Sequence, residues 1–157
     1  KALVDASGDI VASDPPPGAD HWVVAIESLS RRTADKNKVD LKNTNDIVKL
    51  KIRNQAVATS GDAYQSVVIA GRRYSHIVDP RTGLGLGQRS SVTVIAPSGM
   101  LADSLASAVC VSGPDTGALL IEQSDRPDTE SYIMSAKEES GQVSVRRSSG
   151  FEKFLLK

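Results

Sequence analysis

The chain has 157 residues, enough for one domain with a core of its own. Its 19 Lys and Arg balance 19 Asp and Glu, so bulk charge gives no reason to expect nucleic acid as a partner, and aromatics at 4% are too few for a base-stacking platform. No apolar run approaches the roughly 20 residues of a membrane-spanning helix, and the single Cys110 excludes an intrachain disulfide.

The chain begins with Lys1, carries methionine only at Met100 and Met134, and enters strand-like sequence at once. It therefore reads as the C-terminal piece of a longer protein, with any leader upstream left open. Ala2 to Ala12 is predicted as a strand interrupted at Ser7-Gly8-Asp9, where Gly8 permits a bulge or the close approach of a ligand. Three prolines and Gly18 make Asp14 to Asp20 a loop. Trp22 to Glu27 alternates as a strand.

Ser28 to Ile47 is polar and reads as a surface connection. Val48, Leu50 and Ile52 then alternate with Lys49, Lys51 and Arg53, a half-buried strand with a basic outer face. From Arg31 to Arg53 there are eight Lys or Arg against three Asp. Such a run is ordinarily a solvated face that discourages edge pairing, and alternatively a phosphate-binding one.

Gln55 to Ser60 continues as a strand toward Gly61-Asp62. Tyr64 to Ala70 and Arg73 to Asp79, joined at Gly71-Arg72, form a predicted hairpin. Leu84 to Gly87 reads as a flexible glycine-rich link, and Ser91 to Ala96 as a β-branched strand. Ser98 is the candidate N-cap of a helix over Gly99 to Ser112, which Gly113-Pro114 ends. A second helix spans Asp115 to Ser124. Strands follow at Ser131 to Lys137 and Gln142 to Arg147, and apolar residues within Phe151 to Leu156 dock on the core. Meandering strands around two consecutive helices predict an α+β fold.

Two stretches carry chemistry. The helix at Met100 to Val111 is apolar nearly all round and is expected to be buried, yet Asp103 and Ser107 lie one turn apart on one face. A carboxylate and a hydroxyl at that spacing offer hard oxygens to Mg²⁺; equally, Asp103 could pair with an Arg of another strand while Ser107 bonds back to its own helix. Cys110 and two scattered histidines supply no zinc-ligand spacing. The second stretch, Ser75-His76-Ile77-Val78-Asp79-Pro80-Arg81-Thr82-Gly83, reads as a strand running into a rigid turn. Taken alone it is an exposed turn with an incidental histidine, or else a turn that binds something anionic.

Several stretches together resemble the ApbE-type flavin transferases, once described as thiamine-biosynthesis lipoproteins. They are Ala2 to Ile10, Trp22 to Ile26, Ala58-Thr59-Ser60-Gly61-Asp62, Tyr74 to Gly83, and Ser91 to Gly113 with its Ala102-Asp103-Ser104-Leu105-Ala106-Ser107-Ala108. The resemblance covers essentially the whole chain and implies a mostly antiparallel sheet carrying two helices, an ApbE-like (T-fold-like) architecture. Residues 1–157 would be a single domain, the C-terminal portion of such a protein, without the family's N-terminal half. The implied activity is Mg²⁺-dependent cleavage of the FAD pyrophosphate, transfer of FMN to a threonine hydroxyl of an acceptor protein, and release of AMP. By carry-over, Asp103 and Ser107 would ligate Mg²⁺ and His76 would take the threonine proton. Gly8, Asp9, Thr59, Ser60 and Gly61 would line the nucleotide, with Thr82 and Gly83 at the rim. The family also implies export as a cell-envelope or periplasmic lipoprotein, anchored to the membrane through the segment before Lys1. Ser7 stands where the family has Gly, Ser107 where Thr is common, and Leu84 to Gln88 is glycine-rich where a proline often follows the turn. A flavin-binding module without transfer activity and an interaction domain on a degenerate scaffold are the alternatives.

Overall fold

The computed structural model describes residues 1–27, 29, 47–62, 65–136 and 142–156. Most of the connection expected over Ser28 to Ile47, and with it much of the basic run, lies outside them.

The organising unit is a six-stranded antiparallel sheet whose strands lie in the order Leu3–Ala6, Asp9–Ala12, Gln55–Gly61, Ser90–Ala96, Glu130–Ala136 and Val143–Arg147. The expected first strand is in fact a hairpin, β1 (Leu3–Ala6) and β2 (Asp9–Ala12). Its two-residue turn has φ +58° at Ser7 and +104° at Gly8, the positive pair that lets a tight turn follow the twist of the strands. β3 (Trp22–Glu27) pairs with β4 (Ile47–Ile52), in which Leu50 and Ile52 are fully buried while Lys49 and Lys51 are exposed. Arg53 and Asn54 turn the chain into β5 (Gln55–Gly61), and both donate to Asp14.

The sheet has two buried faces. On one, Val57, Ile95, Tyr132 and Met134 meet Val24, Ile26, Leu50 and Ile52 of the β3–β4 pair, and Phe151 and Phe154 of a terminal 3₁₀ turn close that core. On the other, Ala56, Ala58, Val92, Val94 and Ile133 meet α1 (Gly99–Ser112) and α2 (Pro114–Glu122). Burial on both faces explains why β10 (Ser90–Ala96) is apolar and β-branched with every residue buried. β11 (Glu130–Ala136) and β12 (Val143–Arg147) complete the sheet.

Helix α1 starts as expected: the Ser98 side chain accepts from the Leu101 N–H, and Gly113 closes the other end at φ +82°. It is not buried all round. Ala102, Ala106, Val109 and Cys110 face the sheet, whereas Met100 is 84% exposed and Asp103, Ser104 and Ala108 also face outward. Small side chains along the inner stripe let the helix lie close to β5 and β10 with one face only.

Between β5 and β10 the chain leaves the sheet. β6 (Ser66–Ile69) and β7 (Arg72–Ser75) form the expected hairpin, but β7 stops at Ser75 and the chain bends through His76-Ile77. β8 (Val78–Asp79) then pairs with β9 (Leu84–Gly85), so the expected flexible link is a paired strand. Leu86 ties this ribbon to β7: its carbonyl accepts from Ser75 N at 2.8 Å and its N–H donates to Ile77 O at 2.9 Å. A Cβ at Gly85 would fall inside the contact distance of the Ser75 carbonyl oxygen, which is why glycine stands there.

Candidate functional site

Strand β5 emerges from the sheet beside α1. Its pairing with β2 ends at Val57 opposite Ile10, whereas its pairing with β10 continues to Gly61 opposite Ser91. Among the described residues, Thr59, Ser60 and Gly61 therefore have a strand neighbour on one side only, next to the point where β2 begins. Alternation sends Ser60 to the helix face with Ala56 and Ala58, and Thr59 to the opposite face, where its hydroxyl lies 2.9 Å from that of Thr93. The Ser60 and Ser107 hydroxyls are 2.8 Å apart. Gly61 is held against β10, and a Cβ there would lie 2.5 Å from Ser90 O.

Asp9 and Val11 share the helix face of β2; the Val11 side chain lies where a Cβ of Gly99 would stand, at 2.9 Å. This contact brings the start of α1 over β2 and sets Asp103 near Asp9. The Asp9 carboxyl is held above its ordinary value, first by partial desolvation and then by the charges of Asp103 and Asp5. The site thus gathers Asp9, Ser60, Asp103 and Ser107.

Two expectations about α1 are corrected. Asp103 is exposed rather than buried, and among the described residues no Arg or Lys pairs with it. Ser107 bonds across to Ser60 of β5, not back to its own helix. The donor set fits Mg²⁺: hard oxygens only, a carboxylate without a cationic partner, and a second carboxylate whose ionisation the first opposes. Among the described residues no three His, Cys, Asp or Glu side chains converge, so water and phosphate oxygens would fill most of a metal's shell. Cys110 lies beneath, its thiol donating to Ser60 O at 3.4 Å and pushed up to about 12 by burial, which keeps it a neutral thiol.

His76 is exposed, at the bend after β7. Its backbone N–H donates to Gln65 O at 3.1 Å, and its Nδ1 lies 3.2 Å from the same oxygen. A carbonyl can only accept, so in this contact Nδ1 is the donor, and in the neutral ring Nε2 is then the acceptor.

The turn beyond it does not offer its charge to an anion. Arg81 forks onto Asp79, Nε to Oδ1 and Nη2 to Oδ2, both at 2.9 Å, and the Arg81 N–H also reaches Oδ1 at 2.9 Å. That side-chain pairing holds the Asp79 carboxyl below the usual carboxylate range. Thr82 N and Gly83 N both donate to Asp79 O, with Gly83 at φ +70°, while the Thr82 hydroxyl accepts from Leu84 N. Thr82 and Gly83 thus sit at the tip of the β8–β9 ribbon. This tip lies against the C-terminal end of α1, where Arg81 Nη2 is 3.5 Å from Val111 O, across a cleft of about 230 Å³. Asp103 is two turns up the same helix, about 12 Å along its axis.

Gly8 closes the β1–β2 turn, its N–H bonded to Asp5 Oδ1 at 2.9 Å with open space beyond its Cα. Sequence reasoning missed Asp62, which is 2% exposed at the end of β5. Its carboxylate accepts from Arg73 of β7 and from Ser90 N of β10 at 2.9 Å, and Arg73 also donates to Asp62 O at 2.8 Å. Asp62 thereby anchors the hairpin that precedes His76. The only sequence signal was an acidic residue directly following a strand, and nothing local pointed to Arg73.

A model of the ApbE family matches residues 1–133. Two curated relatives named FAD:protein FMN transferase are similar to the chain. That of Vibrio cholerae is 36% identical over 137 residues, covering 87% of this chain and 36% of the relative; that of Haemophilus influenzae is 28% identical over 152 residues, covering 96% and 40%. The solved flavin transferase ApbE from Vibrio cholerae superposes with a TM-score of 0.73 at 28% identity, over 98% of this chain and 44% of that one. The ApbE protein of Thermotoga maritima gives 0.70 at 30% identity, over 99% and 45%. The chain thus spans less than half the length of these relatives.

Proposed function

Because the chain belongs to the ApbE family, we propose that it carries the metal-holding and proton-accepting side of an Mg²⁺-dependent FAD:protein FMN transferase. A threonine hydroxyl of an acceptor protein forms the new P–O bond to the FMN phosphorus, the pyrophosphate P–O bond breaks, and AMP leaves. The observation that carries this reading is the gathering of Asp9, Ser60, Asp103 and Ser107 on one face, with two carboxylates and no cation beside Asp103 among the described residues.

Asp103 and Ser107 would hold the metal, with Asp9 near enough to bind one of its waters. When bound there, Mg²⁺ would offset charge on the pyrophosphate oxygens. The protein's own contributions are positional. Ser60 fixes the Ser107 hydroxyl through their shared hydrogen bond. Gly8 and the strand end Thr59–Gly61 border the nucleotide, Thr59 by its backbone because its hydroxyl is turned to Thr93. His76, with Nδ1 bonded to Gln65 O, accepts the threonine proton at Nε2. Thr82 and Gly83 shape the rim.

The test combines protein carrying this sequence with FAD, Mg²⁺ and a threonine-bearing acceptor, reading covalent flavin on the acceptor and AMP release. Flavinylation that is lost on chelation, and lost in Asp103→Asn at all Mg²⁺ concentrations, is the expected result. Undiminished transfer by Asp103→Asn overturns the metal assignment. Absence of transfer by the unaltered sequence, in the presence of all three reactants, overturns the activity.

A further inference from the structure

We infer that Arg81 is a positioning residue: it fixes the His76 loop relative to the helix that carries Asp103 and Ser107. The inference rests in part on the transferase reading above, and its first test is independent of that reading.

His76 lies on a ribbon whose Ile77 and Leu86 pack against the core beneath α1, and polar contacts at its base and its tip fix it further. At its base, Arg73 binds the buried Asp62, which is itself bonded to the start of β10. Past His76, residues 75–79 run paired with residues 84–86 through the Ser75–Leu86, Ile77–Leu86, Val78–Gly85 and Asp79–Leu84 contacts. At the tip, Arg81 is the group that reaches α1: its Nη2 serves both Asp79 Oδ2 and Val111 O. Val111 is one helical turn from Ser107, so the tip contact sets the distance between the ribbon and the proposed metal pair. Helix α1 has no basic residue in its last turn, and the Arg81 guanidinium supplies the positive charge that its carbonyl end favours.

The pair contributes little to stability. The Arg81 side chain is 71% exposed, and solvent screens an ion pair so open to water. Asp79 matches the fork of the guanidinium at two oxygens, which sets direction rather than strength. An ammonium in its place cannot serve both carboxylate oxygens and Val111 O in that geometry.

The first experiment is amide hydrogen exchange on the full chain without ligand, comparing Arg81→Ala, Arg81→Lys and the unaltered protein. We expect the Leu86 and Ser75 amides to exchange at least about tenfold faster in Arg81→Ala, with amides of β5 and β10 unchanged and the melting temperature moved by no more than about 3 °C. Arg81→Lys should fall between. Unchanged exchange at Ser75 and Leu86 overturns the inference, and so does an equal acceleration across β5 and β10, which would mark general destabilisation. The second experiment adds Mn²⁺ in place of Mg²⁺ and follows the His76 imidazole NMR signal, with His21 as the internal comparison. Selective broadening of His76 in the unaltered protein that weakens in Arg81→Ala supports the inference. Broadening that is identical in the two overturns it. If Mn²⁺ leaves Asp103 and Ser107 unbroadened, the metal assignment fails while the exchange result still decides the role of Arg81. In transfer assays the expected signature is a kcat lowered about tenfold with KM for FAD unchanged.

Discussion

Replacing Arg73 with Met tests the anchor beneath the His76 hairpin. The side chain of Arg73 is 24% exposed and that of Asp62 2%, and among the described residues the Asp62 carboxylate keeps only the Ser90 N–H once the guanidinium is gone. Breaking a buried pair from one side costs about 3–5 kcal/mol, and the partial exposure of Arg73 argues for the lower end. The variant should therefore lose about 3 kcal/mol at pH 7. Urea unfolding followed by circular dichroism measures it. Arg73→Met combined with Asp62→Asn removes the charge as well and should recover at least half the loss at pH 7. A deficit under about 0.5 kcal/mol at pH 7, or no recovery in the double variant, would refute the reasoning.

Other expectations follow from the same geometry. In Asp103→Asn the Asp9 carboxyl should titrate lower than in the parent but still above 3.8, since desolvation is the larger cause; carboxyl ¹³C NMR reads this. The raised value favours the protonated fold, so stability owed to Asp9 is lost as pH rises above 3.8, and the variant should lose less of it. Ser7→Gly relieves a non-glycine residue at φ +58° and should stabilise the chain by about 0.5–1 kcal/mol in denaturant unfolding, where no gain would argue that the turn is unstrained. Gly85→Ala forces a methyl group against the Ser75 carbonyl and should cost about 2 kcal/mol or more; a neutral outcome would mean the ribbon can shift. Cys110, with its thiol pushed up to about 12, should resist a thiol reagent at pH 8 in the folded protein and react at once in urea.

Most elements were legible because their signals are local. Alternation placed β4 at Val48 to Ile52, Ser98 marked the start of α1, and Gly113-Pro114 its end. Between Ser75 and Leu86 local reasoning failed: a β-rich run suggested one continuous strand over Arg73 to Asp79, but the chain bends at His76-Ile77, where the His76 N–H donates to Gln65 O and Ile77 O accepts from Leu86 N. The helical wheel of α1 misjudged burial because Ala102, Ala106, Val109 and Cys110 face the sheet, Leu101 and Leu105 are only partly buried, and Met100 is exposed. The i, i+4 spacing of Asp103 and Ser107 was readable on the helix itself. Their neighbours Asp9 and Ser60 come from remote strands, and no periodicity reports such a meeting. Asp62 and Arg73 escaped notice for the same reason.

The contact between the Ser60 and Ser107 hydroxyls has a consequence for how this sequence can vary. It depends on counting as much as on chemistry. Strand β5 is held to β10 by six successive residue pairs from Ala56–Ala96 to Gly61–Ser91. A single residue added at the Arg53-Asn54 turn, if absorbed by sliding β5, would rotate Ser60 to the far side and present Thr59 to the helix in its stead. The hydroxyl would survive the slip. Val57 would then be driven against α1 in place of the alanines, and the helix could no longer lie so close. Length variation is therefore tolerable in the surface connections of this domain but not in the two-residue link before β5.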